Sequence, residues 1–364
     1  MVPNKSIHKA SGTFAITLAA TLLVAGASMA QQLSPDMQTA VAAANKEGSL
    51  TVVWPGTMLG GAKGVPDIEK GMEKMFGAKI KISHTPTGSL IQQGFQLVNE
   101  TKANAPASTD IYVAVVNVFG PLEENKVLLP VNWPALLPGR INDSHVELNG
   151  AALKISTGSY GVSYNTRLMP NPPKTLEGYL AATMKGKIAV NPQGVGFDYL
   201  LANDVYGKEK TFDFLKKFSG QIGGLIFCTE INRVTTGEFA GFMFDCGPNE
   251  ALRMKENSLP IDQILLRDHL PVTYFYGTIP RTATHPNAAK VLLAYLMTEE
   301  GQKLQWDLWR TDLDLLPGSN IGKRIDEAVK DGAKPLRIDA KWYASHPEVD
   351  AARNDMIKIL REGR

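Results

Sequence analysis

Little in this 364-residue chain is set up for chemistry. It holds two cysteines, Cys228 and Cys246, and six histidines at positions 8, 84, 145, 269, 285 and 346, scattered without metal-ligand spacing. It contains no C-x-x-C, no H-E-x-x-H and no G-x-S-x-G, which removes the dithiol, zinc-hydrolase and nucleophile-elbow signatures. An excess of one charge is also missing. The 38 basic and 36 acidic residues leave a formal net charge of +2, with no polybasic patch for nucleic acid or a membrane surface. Beyond the N-terminus no long apolar run occurs, so the rest of the chain reads as soluble.

What is present begins at the N-terminus. Lys5, His8 and Lys9 precede an apolar stretch from Phe14 to Ala27, which exits through Ser28-Met29-Ala30. Basic flank, short apolar run and small-residue exit are the three parts of a secretory signal peptide, here residues 1–30. An uncleaved anchor is the alternative, but the run is short and rich in Ala and Thr. No Cys lies near residue 30, which argues against a lipid anchor. Loss of Lys5 and Lys9 brings the two charge signs into balance. An exported chain meets an oxidising compartment, where an even pair of cysteines suggests one disulfide. A bond closing a loop of this size stabilises by about 3 kcal/mol. Two buried free thiols are the alternative.

The remaining length suffices for two lobes with separate cores. Leu50-Thr51-Val52-Val53-Trp54 reads as a buried strand ending at Pro55-Gly56. Ile68, Met72, Met75 and Phe76 mark one helix face, with Gly77 as its stop. Residues 79–82 alternate as a half-exposed strand. Thr87-Gly88-Ser89 opens a helix with Ile91, Phe95 and Val98 on one face, and 111–116 reads as a strand inside a parallel sheet. A second α/β series follows. It has strands at 159–165, 186–190, 225–228 and 241–244, and helices at 197–205 and 211–218. Residues 271–279 form another strand. A long helix follows with Pro286 at its first position, and a last one spans 350–362.

Three loops leave strands and enter helices: 54–58, 87–89 and 193–196. At the carboxyl edge of an open α/β sheet such loops bind ligands. Their free N–H groups, with a Ser or Thr hydroxyl, suit an anionic oxygen. Ordinary N-capping by Thr87 or Ser89 is the competing reading. Gly194-Val195-Gly196 has the setting of a phosphate turn, but Tyr199 breaks G-x-G-x-x-G.

Four stretches carry a family likeness: Gly161-Val162-Ser163-Tyr164-Asn165-Thr166 with Pro172-Pro173-Lys174-Thr175; Lys185-Gly186-Lys187-Ile188-Ala189; Thr236-Gly237-Glu238-Phe239-Ala240-Gly241; and His285-Pro286-Asn287-Ala288-Ala289-Lys290 through Thr298-Glu299-Glu300-Gly301-Gln302. In these the chain resembles the solute-binding proteins of ABC importers, in the cluster of ferric-ion, polyamine and phosphonate or sugar-phosphate binders. The resemblance implies an α/β, two-lobe periplasmic-binding-protein fold of type II, with two crossover strands as hinge. Lobe one is expected at 31–156 and 276–364, and lobe two at 157–275. The implied protein is a periplasmic monomer without cofactor or metal. It closes over a small-molecule solute and docks on an ABC permease in the inner membrane, with no nucleic-acid partner. The pattern also places Cys228 and Cys246 at strand ends near the cleft, as a disulfide.

Departures from the family narrow the solute. Where ferric binders of this cluster keep hard donors, this chain has Met58 and Gly247-Pro248. Polyamine binders need several cleft carboxylates. Asp245 is the best candidate here and Glu230 the second. Thr57, Thr87, Gly88, Ser89, Asn117, Gln193, Gly194, Val195, Gly196 and Arg233 favour an anionic or polar organic solute, bridged between 87–89 and 193–196. Arg233 can instead pair with Glu230 or Glu238. Trp54, Tyr274 and Tyr276 are either an apolar wall or lobe core. A ferric-ion or polyamine receptor, and an exported enzyme on the same fold, remain the alternatives.

Cleavage after Ala30 is expected to leave Gln31 as the new N-terminus. Mass measurement of exported protein checks this, and an intact Met1 would contradict it.

Overall fold

The computed structural model describes residues 33–362, so the signal segment expected at 1–30 lies outside the described residues. Helix α1 (Pro35–Glu47) starts where the Ser34 hydroxyl accepts the Met37 N–H. Strand β1 (Ser49–Trp54) follows, then helix α2 (Val65–Phe76), which buries Ile68, Met72 and Phe76 as its spacing predicts. α2 stops at Gly77, whose φ of 71° is the left-handed turn that a side chain disfavours. Strand β2 (Lys81–Pro86) pairs parallel with β1 in register Ser49–Lys81 to Trp54–Pro86.

Helix α3 (Leu90–Lys102) departs from the reading. It buries Gln93, Gly94, Leu97 and Val98, whereas Phe95 is 49% exposed. Gly94 selects that face, because an added Cβ would meet the Tyr112 hydroxyl, which donates to the Leu90 carbonyl at 2.7 Å. Strand β3 is short (Tyr112–Ala114) and does not sit inside a parallel sheet. It pairs antiparallel with a later strand, and the residues just before it meet β1 through a parallel Val52–Ile111 bridge and hydrogen bonds with Thr109 and Asp110. Strands β4 (Val146–Glu147) and β5 (Ala152–Ser159) complete this part.

Strand β6 (Val162–Asn165) opens a second sheet with β7 (Ile188–Val190). The helix expected at 197–205 is only a 3-10 turn, Asp198–Leu201. Phe197, Tyr199, Leu200, Leu201 and Ala202 are all buried, so this stretch has no solvent side for an amphipathic helix. Helix α4 (Gly207–Phe218), β8 (Ile222–Leu225), β9 (Gly241–Met243) and β10 (Ile261–Ile264) follow. The sheet order is β10-β6-β9-β7-β8, with β7 parallel to β8 and β9 and β6 antiparallel to β9 and β10.

Strand β11 (Leu270–Thr278) returns to the first sheet. Helices α5 (Pro286–Met297), α6 (Glu299–Trp309) and α7 (Asn320–Lys330) follow, then β12 (Pro335–Ile338), α8 (Ala340–Ala344) and α9 (Pro347–Glu362). The first sheet runs β12-β11-β5-β4, with β3 on β11. The chain thus passes between sheets at 160–161 and again at 265–269. It also passes a third time. β12 belongs to the first sheet, yet Val349, Ala352, Met356 and Leu360 of α9 are buried in the second core. The sequence reading had grouped all of 276–364 with the first lobe. Four apolar residues at i, i+3, i+7 and i+11 define a buried stripe but do not say against which sheet it packs.

Gly71 lets α2 lie against α5, and an added Cβ there would overlap the Tyr295 hydroxyl and ring. Gly71→Ala is therefore expected to destabilise by about 1–3 kcal/mol, as overpacking does. Denaturant titration against the parent measures it.

Candidate functional site

The carboxyl ends of β1 and β2 form one edge. Trp54 ends β1 with only 1% of its surface exposed, so it belongs to the core. Its carbonyl accepts the Thr87 N–H at 3.2 Å and faces His84 Nε2 at 3.1 Å. Thr57 is exposed and Met58 buried. The capping reading of 87–89 holds in part: the Ser89 hydroxyl accepts the Gln92 N–H at 3.3 Å, and Thr87 Oγ1 accepts the Ser89 N–H at 3.3 Å. Gly88 faces open space, with nothing within 4 Å of an added Cβ. Asn117 follows β3, and its amide donates to the Tyr343 hydroxyl at 3.0 Å.

The opposite edge is formed by the ends of β7, β8 and β9; in its loop 193–196 Gln193 is exposed, but Gly194 and Gly196 are buried. Asn191 takes the Gln193 N–H on its side chain (2.8 Å) and the Gly194 N–H on its carbonyl (2.9 Å). Gly194 (φ 67°) and Gly196 (φ 81°) are both left-handed, and added Cβ atoms would overlap Met356 and Phe244 respectively. Val195 is half-buried between them. Arg361 donates to the Pro192 carbonyl at 3.1 and 3.0 Å. Just beyond, the buried Asp198 pairs with Arg353 at 2.7 Å. Helix α9 therefore covers the loop, which leads into a single 3-10 turn with no long helix dipole behind it. Cys228 and Cys246 are bonded, with Cα atoms 5.7 Å apart, and the Asn191 amide lies 3.6 Å from both sulfurs. The bond staples the loop after β8 to the loop after β9.

Arg233 takes the surface option, pairing with Glu230 at 3.1 Å and Glu238 at 2.5 Å. Asp245 is 1% exposed and accepts from Ser163 Oγ, Gln263 Nε2 (2.9 Å) and the Gly247 N–H (3.4 Å). Tyr276 is fully buried, edge-on to Phe119 at 4.8 Å. Tyr274 binds Arg337 through its hydroxyl (2.7 Å) and lines a cavity of about 480 Å³ with Glu147, Lys154 and Asp339. Thr57, 87–89 and Asn117 thus follow the carboxyl ends of β1, β2 and β3, whereas Asp245 and Tyr276 are packed in the interior and Tyr274 lines the cavity.

Sequence reasoning missed two groups. One is an aromatic run: Tyr160 and Tyr199 lie 6.3 Å apart, Tyr199 and Trp342 6.0 Å, and Trp342 stacks on His346 at 4.2 Å. Spacing gives no hint of it, because its members come from distant segments. The other is a Ser–His–Asp array. Ser49 Oγ lies 2.9 Å from His285 Nε2, and His285 Nδ1 lies 2.8 Å from Asp110 Oδ2.

The sequence model of the bacterial extracellular solute-binding protein family matches residues 70–318. The chain belongs to that family. Solved structures share its fold at low identity. A putative spermidine/putrescine ABC transporter from Listeria monocytogenes is 15% identical, covering 87% of this chain and 100% of its own, with a TM-score of 0.63. Iron-bound HitA from Pseudomonas aeruginosa is 17% identical, covering 86% and 99%, with a TM-score of 0.62. AfuA from Actinobacillus pleuropneumoniae with fructose-6-phosphate bound is 15% identical, covering 85% and 99%, with a TM-score of 0.61. Among curated proteins there is no significant match. This solute-binding protein has the two-lobed α/β fold of its family.

Two buried groups of the solute-binding protein give opposite pH dependences. Burial lowers His269 to about 4, although its Nε2 contact to the Gly196 carbonyl (3.0 Å) opposes the shift. Burial raises Asp245 to about 6 against its hydrogen bonds. The unfolded chain protonates His269 first, so that histidine removes stability as pH falls from about 6.5 to about 4. The folded chain protonates Asp245 first, so that carboxyl adds stability as pH falls from about 6 to about 4. The two offset each other. Asp245→Asn removes the second, so its thermal midpoint should fall more steeply than the parent's between pH 6 and 4. Parallel midpoint curves would contradict the assignment.

Proposed function

We propose that this chain is a periplasmic, monomeric receptor that captures a small anionic or polar organic solute between its two lobes and hands it to an ABC permease. The observation that carries the reading is the open start of α3. Gly88 has free space above it, Thr87 and Ser89 flank it, and the thirteen-residue helix behind it turns its positive end toward that space. Thr57 and Asn117 lie on loops at the same sheet edge. AfuA, with fructose-6-phosphate bound, is a precedent on this fold for such a solute. A polyamine is less well served, because Asp245 is enclosed by Ser163 and Gln263. Iron finds Met58 buried and the Gly247 N–H turned to Asp245 at the positions where hard donors were sought.

Catalysis by Ser49, His285 and Asp110 is disfavoured on the array's own geometry. An acyl transfer needs oxyanion donors beside the serine. The first N–H groups of α5, from Asn287 and Ala288, are taken by the Glu47 carboxylate at 3.2 and 2.7 Å. A carboxylate there repels the developing anion, so the array serves as a cap that joins β1 to α5.

Mass spectrometry of material released from gently purified protein identifies the solute. Gly88→Asp then places a carboxylate at the start of α3 without a steric clash. Calorimetry is expected to show at least tenfold weaker binding, about 1.4 kcal/mol, at an unchanged thermal midpoint. Parent-like affinity for that solute would refute the anion site.

A further inference from the structure

We propose that residues 339–346 form a clasp, a third connection that ties the two lobes together beside the two hinge passages and couples their opening to the unravelling of α8. The clasp is anchored at both ends. On the first lobe, β12 pairs parallel with β11 from Leu270–Pro335 to Thr273–Ile338, and Glu147 accepts the Ala340 N–H at 2.8 Å. On the second lobe, α9 buries Val349, Ala352, Met356 and Leu360, and adds the Arg353–Asp198 pair. Burial of Val349, Met356 and Leu360 keeps α9 docked.

Between these anchors the clasp touches both sides. The Tyr343 hydroxyl accepts from Asn117 of the first lobe and donates to Asp350 of α9 at 2.5 Å. Trp342 packs against both cores, edge-on to Tyr199, whose turn leads into the second core while its own ring is buried with the first, and stacks on His346, which pairs with Asp204 at 3.1 Å. These residues lie beyond 318, where the family match ends. Eight residues reach about 27 Å when extended, but as a helix they rise about 1.5 Å each. Wide opening therefore requires α8 to unwind and Tyr343 to leave Asn117. A lobe pair restrained in this way keeps more of its population near the closed state before any solute arrives, which raises apparent affinity.

The test needs no solute, so its failure is distinct from failure of the receptor reading. A protease site inserted after the exposed Ala344 is left intact or cut in the full chain. Cutting is expected to increase the radius of gyration in small-angle scattering, while native mass spectrometry shows both fragments together. An unchanged radius overturns the proposal, and so does separation of the fragments, which means α9 is not anchored. Tyr343→Phe, which keeps the ring, is expected to speed amide exchange at 340–346 by severalfold and leave 349–360 as in the parent. Equal exchange at 340–346 counts against the clasp.

Discussion

The antiparallel pairing of β5 with β11 is the constraint on which the rest of the architecture rests. The two strands run side by side from Ala152–Thr278 to Ser159–Val272, and every residue in them is buried except the half-buried Phe275. With both faces covered, a slip of one residue would turn each side chain to the wrong layer, so their register is strongly specified. Directly beyond this pair the chain leaves one sheet for the other, at 160–161 and at 265–269. Both of these passages therefore start from the ends of one paired ladder, whose register shifts once, between Phe275 and Tyr276.

The second lobe's edge is closed by α9, the disulfide and Asn191, whereas the first lobe's edge keeps an open helix start. This asymmetry is the reason the proposed solute site is centred on 87–89. It also explains the buried ionic pair of Asp198 and Arg353. Burying charges is costly, but this pair fixes α9 over the turn at 198–201, where apolar contact alone would leave its axial position less defined.

Much was legible where the signal is local. Gly77 stops α2, Pro286 starts α5, and the apolar spacing of β1 and α2 survives intact, because each depends on backbone conformation and on neighbours within a turn or two. The pairing of Cys228 with Cys246 was expected from export and family likeness. The surroundings of the candidate residues were less legible. Phe95 points outward because Gly94 admits Tyr112, and Arg233 joins Glu230 and Glu238. The loop 193–196 lies under Met356, and nothing within 193–196 announces that cover.

By itself the sequence determined the α/β class, the family and the disulfide partners, since these follow from composition, short-range periodicity and motifs. Only the tertiary structure decided which edge is open, that Ser49, His285 and Asp110 meet around a cap closed by Glu47, and that α9 is buried in the second core although β12 belongs to the first sheet. The reason is physical. Each of these is a contact between residues scores to hundreds of positions apart, and such contacts leave no period in the sequence. They are selected by which buried surfaces fit once the ladder of β5 and β11 has brought the two halves together.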